Sequence, residues 1–239
     1  FADGKFYAAK YGDSYGATPT VHVWNASDIA AQMPNSNTSV LLSVTPTSIT
    51  APPAADPRGY WGYNMAAGGN YFYVLDLFYS QVTNAAGAIF VYNTSDNQLV
   101  TTLECTNDVK YFVTATESYY AVHYHGVNPV MTRVYQAGTN TLLAELRAVK
   151  PNPRSMYEFG NHLSLGLDDK IYDQSGNLLS HDKGVSIYDT NDFSKEPTKI
   201  VTGSTYHTVS SSQKLYAHTE PDVQVYDVSS LGGFSLQDD

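Results

Sequence analysis

The stretch Val21-His22-Val23-Trp24-Asn25-Ala26-Ser27-Asp28 decides the fold, because the chain repeats it four more times. The copies are Ile89-Phe90-Val91-Tyr92-Asn93-Thr94-Ser95-Asp96, Thr132-Arg133-Val134-Tyr135-Gln136-Ala137-Gly138-Thr139, Val185-Ser186-Ile187-Tyr188-Asp189-Thr190-Asn191-Asp192 and Val223-Gln224-Val225-Tyr226-Asp227-Val228-Ser229-Ser230. Each is a short run of alternating apolar residues, then an aromatic, then a polar turn. A period of two is the pattern of a strand with two different faces, and Asn, Asp and Ser end such a run by bonding their own backbone.

The aromatic falls at Trp24, Tyr92, Tyr135, Tyr188 and Tyr226, at spacings of 68, 43, 53 and 38 residues. A unit of about 40 to 50 residues with variable insertions is the period of propeller blades, each a four-stranded antiparallel sheet. The motif resembles the third strand of a WD40- or YVTN-like blade, where an alternating run ends in Trp/Tyr-Asp. The Gly-His dipeptide of strict WD40 repeats is absent. The resemblance implies a divergent β-propeller repeat protein of the kind found in secreted or surface bacterial proteins. Its expected setting is secreted, periplasmic or cell-surface.

The other strands of each blade fall around the motif. Second strands are expected at 5–11, 71–78, 119–125, 162–168 and 214–220. Fourth strands are expected at 40–44, 98–103, 141–147, 198–203 and 234–236. Innermost strands are expected at 60–66, 110–114, 155–159 and 205–209, joined to the second strands by short turns. The fold class is therefore all-β: a single propeller domain over 1–239, five blades recognisable, the first lacking its innermost strand. An unfinished sheet exposes an edge. Either the ring has five blades with one incomplete, or the chain is part of a larger propeller.

Composition agrees. The chain has 239 residues, 20 Tyr, frequent Gly and Pro, and no sustained 3.6-residue apolar period, so long helices are not expected. Its net charge is −10 with only 13 Lys and Arg, which argues against nucleic acid and against an anionic membrane surface as partners. No eighteen-residue apolar run predicts a membrane span. The lone Cys105 allows neither an intrachain disulfide nor a cysteine zinc site. The chain starts at Phe1, which suggests a processed or longer precursor. Sequons at Asn25, Asn37 and Asn93 are candidates for glycosylation, although Asn25 and Asn93 also fall where the repeat needs a turn residue.

Insertions concentrate at one end of the blades: 12–20, 79–88 and 169–184 after second strands, 45–58 and 148–154 after fourth strands. Long loops on a rigid scaffold are where binding resides. Aligned second strands put Asp76, His123 and His218 at one position, beside Lys10 and Gly166. His125, Asp168 and Glu220 follow two residues on, beside Gly12 and Phe78. Arg58 and Arg154, each after a Pro, join from the neighbouring loops. The candidate ligand-binding residues are therefore Arg58, Asp76, His123, His125, Arg154, Asp168, His218 and Glu220.

His123-Tyr124-His125 has metal-ligand spacing, but without a second spaced motif paired hydrogen-bonding histidines are the better reading. No cofactor is expected. No nucleophile elbow or phosphate loop occurs. Asp76, Asp168 and Glu220 offer the carboxylate pair of a glycosidase. Propeller glycosidases, however, carry their acids on innermost strands, and here those strands hold aromatics (Tyr60, Trp61, Tyr63, Tyr111, Tyr157, Phe159, Tyr206) and only Glu158. The reading that follows is a non-catalytic binding module holding a small molecule, glycan or protein at the loop-rich face. The alternatives are a glycoside hydrolase or lyase, and a structural or adhesive protein whose unfinished first blade accepts a strand.

Overall fold

The computed structural model describes residues 3–10, 20–33, 43–50, 60–77, 87–105, 110–124, 131–147, 156–173, 175–209, 214–219 and 221–229. The strands form five antiparallel sheets, each in simple up-and-down order. The first holds β1 (Lys5–Lys10), β2 (Thr20–Asn25) and β3 (Thr47–Thr50). The second holds β4 (Tyr60–Gly68), β5 (Tyr71–Leu77), β6 (Gly87–Asn93) and β7 (Leu99–Cys105). The third holds β8 (Lys110–Ala115), β9 (Tyr119–Tyr124), β10 (Met131–Gln136) and β11 (Leu142–Arg147). The fourth holds β12 (Met156–Phe159), β13 (His162–Tyr172), β14 (Leu178–Asp189) and β15 (Thr198–Val201). The fifth holds β16 (His207–Val209), β17 (Lys214–Thr219) and β18 (Asp222–Asp227).

All five copies of the motif are third strands, as expected: β2, β6, β10, β14 and β18. The aromatic always faces the same place on the second strand. Trp24 pairs with Phe6, Tyr92 with Phe72, Tyr135 with Tyr120, Tyr188 with Leu163 and Tyr226 with Leu215. Phe72 and Tyr92 stack at 4.8 Å, Tyr120 and Tyr135 at 5.0 Å. Such cross-strand pairs fix register, since a one-residue slip moves every side chain to the wrong face.

The polar tail of the motif is a fastener. The backbone N–H two residues after the aromatic donates to a carbonyl in the turn that enters the second strand: Ala26 to Gly4 at 2.7 Å, and Thr94 to Asn70, Ala137 to Ser118 and Thr190 to Asn161 at 2.9 Å. In three copies the Asn or Asp after the aromatic also accepts the N–H two residues on: Ser95 to Asn93 at 2.8 Å, Asn191 to Asp189 and Ser229 to Asp227 at 2.9 Å. The first copy instead continues into α1 (Ala26–Ala30), the one helix among the described residues. No described helix is long and apolar enough to cross a membrane.

The chain divides into two compact units, Phe1–Val109 with Gly138–Asn140, and Lys110–Ala137 with Thr141–Asp239. In the first unit, Val21 and Val23 pack on Phe72, Val74, Phe90 and Tyr92. In the second, one cluster (Ala121, Val134, Leu163, Leu165, Tyr188) joins the third and fourth sheets, and another (Val185, Ile187, Leu215, Ala217, Tyr226) joins the fourth and fifth. The fourth sheet is thus buried on both faces.

Three expectations need correction. The fourth strand of the first blade is not 40–44 but Thr47–Thr50, where Ile49 pairs with Val21. The Val44 carbonyl instead accepts the Trp24 indole N–H at 3.2 Å. The insertion 169–184 is not a loop but a continuation of β13 and β14. Asp76 pairs with Ala88, one residue beyond Leu75↔Ile89, which is the pair equivalent to His123↔Thr132. Asp76 and Lys10 therefore correspond to Tyr124, Leu167 and Thr219, not to His123, Gly166 and His218. The expected strand at 234–236 lies outside the described residues.

Candidate functional site

Among the described residues, the fourth sheet narrows from four strands to two at the end where its second strand would finish. β12, described from Met156, pairs from Leu165 to His162, and β15 leaves β14 after Gly184↔Val201. Beyond that, β13 and β14 run on as an arm from Asp168↔Lys183 to Tyr172↔Leu178. Gly184 marks its base: an added Cβ would lie 1.9 Å from the Ile200 carbonyl oxygen, so only glycine permits the approach. There the Lys183 carbonyl accepts the N–H groups of Thr202 and Gly203 at 2.9 and 3.0 Å.

The tip closes itself. Asp173 Oδ1 accepts the N–H groups of Ser175 and Asn177, both at 2.8 Å, and its Oδ2 accepts the Asn177 amide at 2.9 Å. Those bonds, the Asn177 side chain first, hold the Asp173 carboxyl below its ordinary range. Gly176 supplies the positive φ of 84° that the turn requires. Along the arm Asp168 binds His181 across the strands, and Lys199 reaches Asp169 at 3.4 Å. At its end Leu178 and Leu179 are 53% and 65% exposed.

Of the expected site residues, Asp168 stands on the arm with His181. His218 lies half-buried on β17, its N–H donating to the Tyr206 carbonyl at 3.0 Å. His123 is 1% exposed, its Nδ1 3.2 Å from Thr132 Oγ1. The Asp76 backbone lies between Trp61 and Ala88. Arg58, His125, Arg154 and Glu220 lie outside the described residues. His181 was missed because it falls in the stretch read as a loop. A hairpin signal was present there: Asp173 to Asn177 is turn-forming and is flanked by Ile171-Tyr172 and Leu178-Leu179. Among the described residues, no three His, Cys, Asp or Glu side chains gather as metal ligands.

Two other groups bear on catalysis. Ser118 donates its N–H and Oγ–H to the Glu158 carboxylate at 3.0 and 2.6 Å, so the acid on an innermost strand is spent joining two blades. His207 Nε2 lies 2.9 Å from Ser164 Oγ, the contact of a nucleophile and its base. Yet Ser164 is 0% and His207 6% exposed, and Tyr157 packs on the imidazole at 5.4 Å. Burial pushes the His207 pKa down to about 4, keeping it neutral. The pair is sealed and joins the fourth and fifth sheets. Tyr157, expected on an innermost strand, thus packs between blades, and Phe159 stacks on His162 at 5.7 Å.

At the opposite end of the fourth sheet, the turn after β14 faces the ends of β9 and β10 across a cavity of about 570 Å³. Ser118, Tyr119, Gln136 and Leu143 line one side, and residues 190–194 the other. Asp192 Oδ1 accepts the Ser194 N–H at 3.1 Å and Oγ–H at 2.6 Å, and Lys195 binds Asp189 at 3.0 Å. Phe193 stands edge-on to Tyr119 at 6.1 Å.

No family model matches this chain, and no curated protein does. Solved structures do. The WD40 domain of Pan2 from Neurospora crassa is similar at TM-score 0.53 and 11% identity, over 95% of this chain and 63% of that one. The β-propeller domain of the Trilobed protease from Pyrococcus furiosus is similar at 0.53 and 9%, over 98% and 66%. The fold is a β-propeller. KlAtg21, solved in complex with the coiled-coil of AgAtg16, is a third similar structure, at 0.52 and 10% over 96% and 68%. This propeller therefore spans about two thirds of the length of each. At these identities the likeness concerns the fold alone.

Proposed function

We propose that this propeller is a non-catalytic binding module, on the cell surface or secreted, whose partner is a protein engaged at the end where the arm projects. One observation carries the reading: a self-capped hairpin holds Leu178 and Leu179 out in solvent. Covering such a side chain is favourable by about 1.5–3 kcal/mol. A scaffold that stiffens a projecting element lowers the ordering cost of binding. From the sequence, Arg58, Asp76, His125, Arg154, His218 and Glu220 are further candidates for contact with a ligand. KlAtg21, a propeller of the same fold, is seen with a coiled-coil partner, and a protein ligand is in keeping with that.

The test places a photo-crosslinking residue at position 180 of the full chain in its native extract, followed by mass spectrometry. The expected result is one reproducible partner, whose titration against the purified chain is lost in Leu178→Asp/Leu179→Asp. A partner bound equally well by that variant overturns the assignment to the arm.

A second reading rests on Asp168 and His181. A carboxylate holding a partly exposed imidazole is how a general base is oriented, and His181 is 27% exposed. This favours a hydrolase. Turnover of chromogenic glycosides or esters that disappears in both Asp168→Asn and His181→Ala would establish it against the binding module.

A further inference from the structure

The crevice between neighbouring blades is treated differently in the two units. The residue just before the register aromatic of the second strand is Lys5 in β1 and Tyr119 in β9. In the first unit Lys5 closes the crevice, its ammonium donating to the carbonyls of Thr94 and Ser95 in the next blade's exit turn, the latter at 3.2 Å. In the second unit the equivalent place is the cavity of about 570 Å³, and its lining includes no lysine or arginine.

We infer that this cavity, with the edge-on pair of Tyr119 and Phe193 in its wall, binds a neutral saccharide residue. The chemistry of the lining selects the class. Its volume lies within the roughly 300–1,000 Å³ typical of small-molecule sites. Tyr119, Phe193 and Leu143 offer apolar surface for the C–H faces of a pyranose ring. Gln136 and Asn191 bring amides that both donate and accept, and Thr190 a hydroxyl, matching the donor–acceptor character of sugar hydroxyls. Asp192 is already oriented by Ser194 through Oδ1, while its Oδ2 accepts no hydrogen bond among the described residues. A fixed carboxylate oxygen is a strong acceptor for a pair of sugar hydroxyls. The lining holds one carboxylate and no lysine or arginine, and the neighbouring Lys195 is paired with Asp189, so the site disfavours phosphate, sulfate and uronate. It lies at the end of β14 away from the arm, so it is a second site within the binding-module reading and does not depend on the arm.

The test uses the full chain and a panel of methyl glycosides of neutral hexoses, deoxyhexoses and N-acetylhexosamines, with methyl glucuronide as the anionic control. Saturation-transfer NMR and calorimetry read binding. At least one neutral glycoside is expected to bind, with affinity lowered about tenfold to a hundredfold by Asp192→Ala. Tyr119→Lys, which supplies the closing cation that Lys5 provides in the first unit, is expected to abolish it while the circular dichroism stays unchanged and the melting temperature falls modestly, since Tyr119 packs on Phe193 and the core cluster. Leu178→Asp/Leu179→Asp is expected to leave it intact. Silence across the neutral panel, preference for the glucuronide, or binding untouched by both Asp192→Ala and Tyr119→Lys each overturns the inference.

Discussion

The second and fourth sheets are built to one plan and finished differently. Both are four-stranded, both pair the motif aromatic with the same position of the second strand, and both fasten the exit turn to the turn before that strand. They differ at their ends. β5 and β6 are 7 residues each, whereas β13 and β14 are 11 and 12 and run on as the arm. The exit turn of the second sheet is sealed by Lys5, and that of the fourth borders an open cavity. The middle of a blade answers to packing, which leaves little choice. The two ends answer to solvent, and that is where the chain diverges.

If the middles are equivalent, equivalent damage should cost alike. Phe72→Ala in the second sheet and Leu163→Ala in the fourth, both 0% exposed, are each expected to lose about 3–5 kcal/mol in urea unfolding. A large inequality would break the comparison. The next effect belongs to the second unit alone. His207 titrates at about 4 when folded and near 6.5 when unfolded, so between those values the unfolded chain binds more protons. Its contribution is complete above pH 6.5 and is lost as pH falls toward 4, by about 3 kcal/mol in all. His207→Gln should flatten that slope in melting curves taken across the range. Gly184→Ala should follow, at about 1–3 kcal/mol, because a β-carbon there meets the Ile200 carbonyl. Altered amide exchange at residues 178–183 would show that the base of the arm is what yields. Ser118→Ala, which strips Glu158 of one donor, should cost about 1–2 kcal/mol. Leu178→Asp/Leu179→Asp should move stability by no more than about 0.5 kcal/mol while removing partner binding.

The plan was legible in the sequence and the finish largely was not. Period-two alternation ending in an aromatic located every third strand, because that pattern is the direct image of a strand whose two faces meet different surroundings. Thr47-Ser48-Ile49-Thr50 escaped notice beside the more apolar Val40-Leu41-Leu42, since an outer strand buries only one residue in two. The arm was hidden for a related reason. Asp168, Asp169, Lys170, Asp182 and Lys183 put charge on both faces of its base, so that part reads as solvated loop although its ladder is continuous. The placing of Asp76 beside His123 failed by a single residue, the smallest error that exchanges faces. Ser118 with Glu158, and Ser164 with His207, lie 40 and 43 residues apart, and no local pattern announces such pairs.

The recurring bond between exit turn and entry turn gives the first four blades the mechanics of a clamped beam. The clamped end is held by main-chain atoms, which tolerate almost any side chain. The free end can be lengthened, shortened or exchanged without disturbing the grip. Cutting the arm back to a short turn, or grafting it onto the ends of β5 and β6, therefore becomes an engineering step rather than a new folding problem. A chain clamped in this way can change what it holds while keeping how it is held.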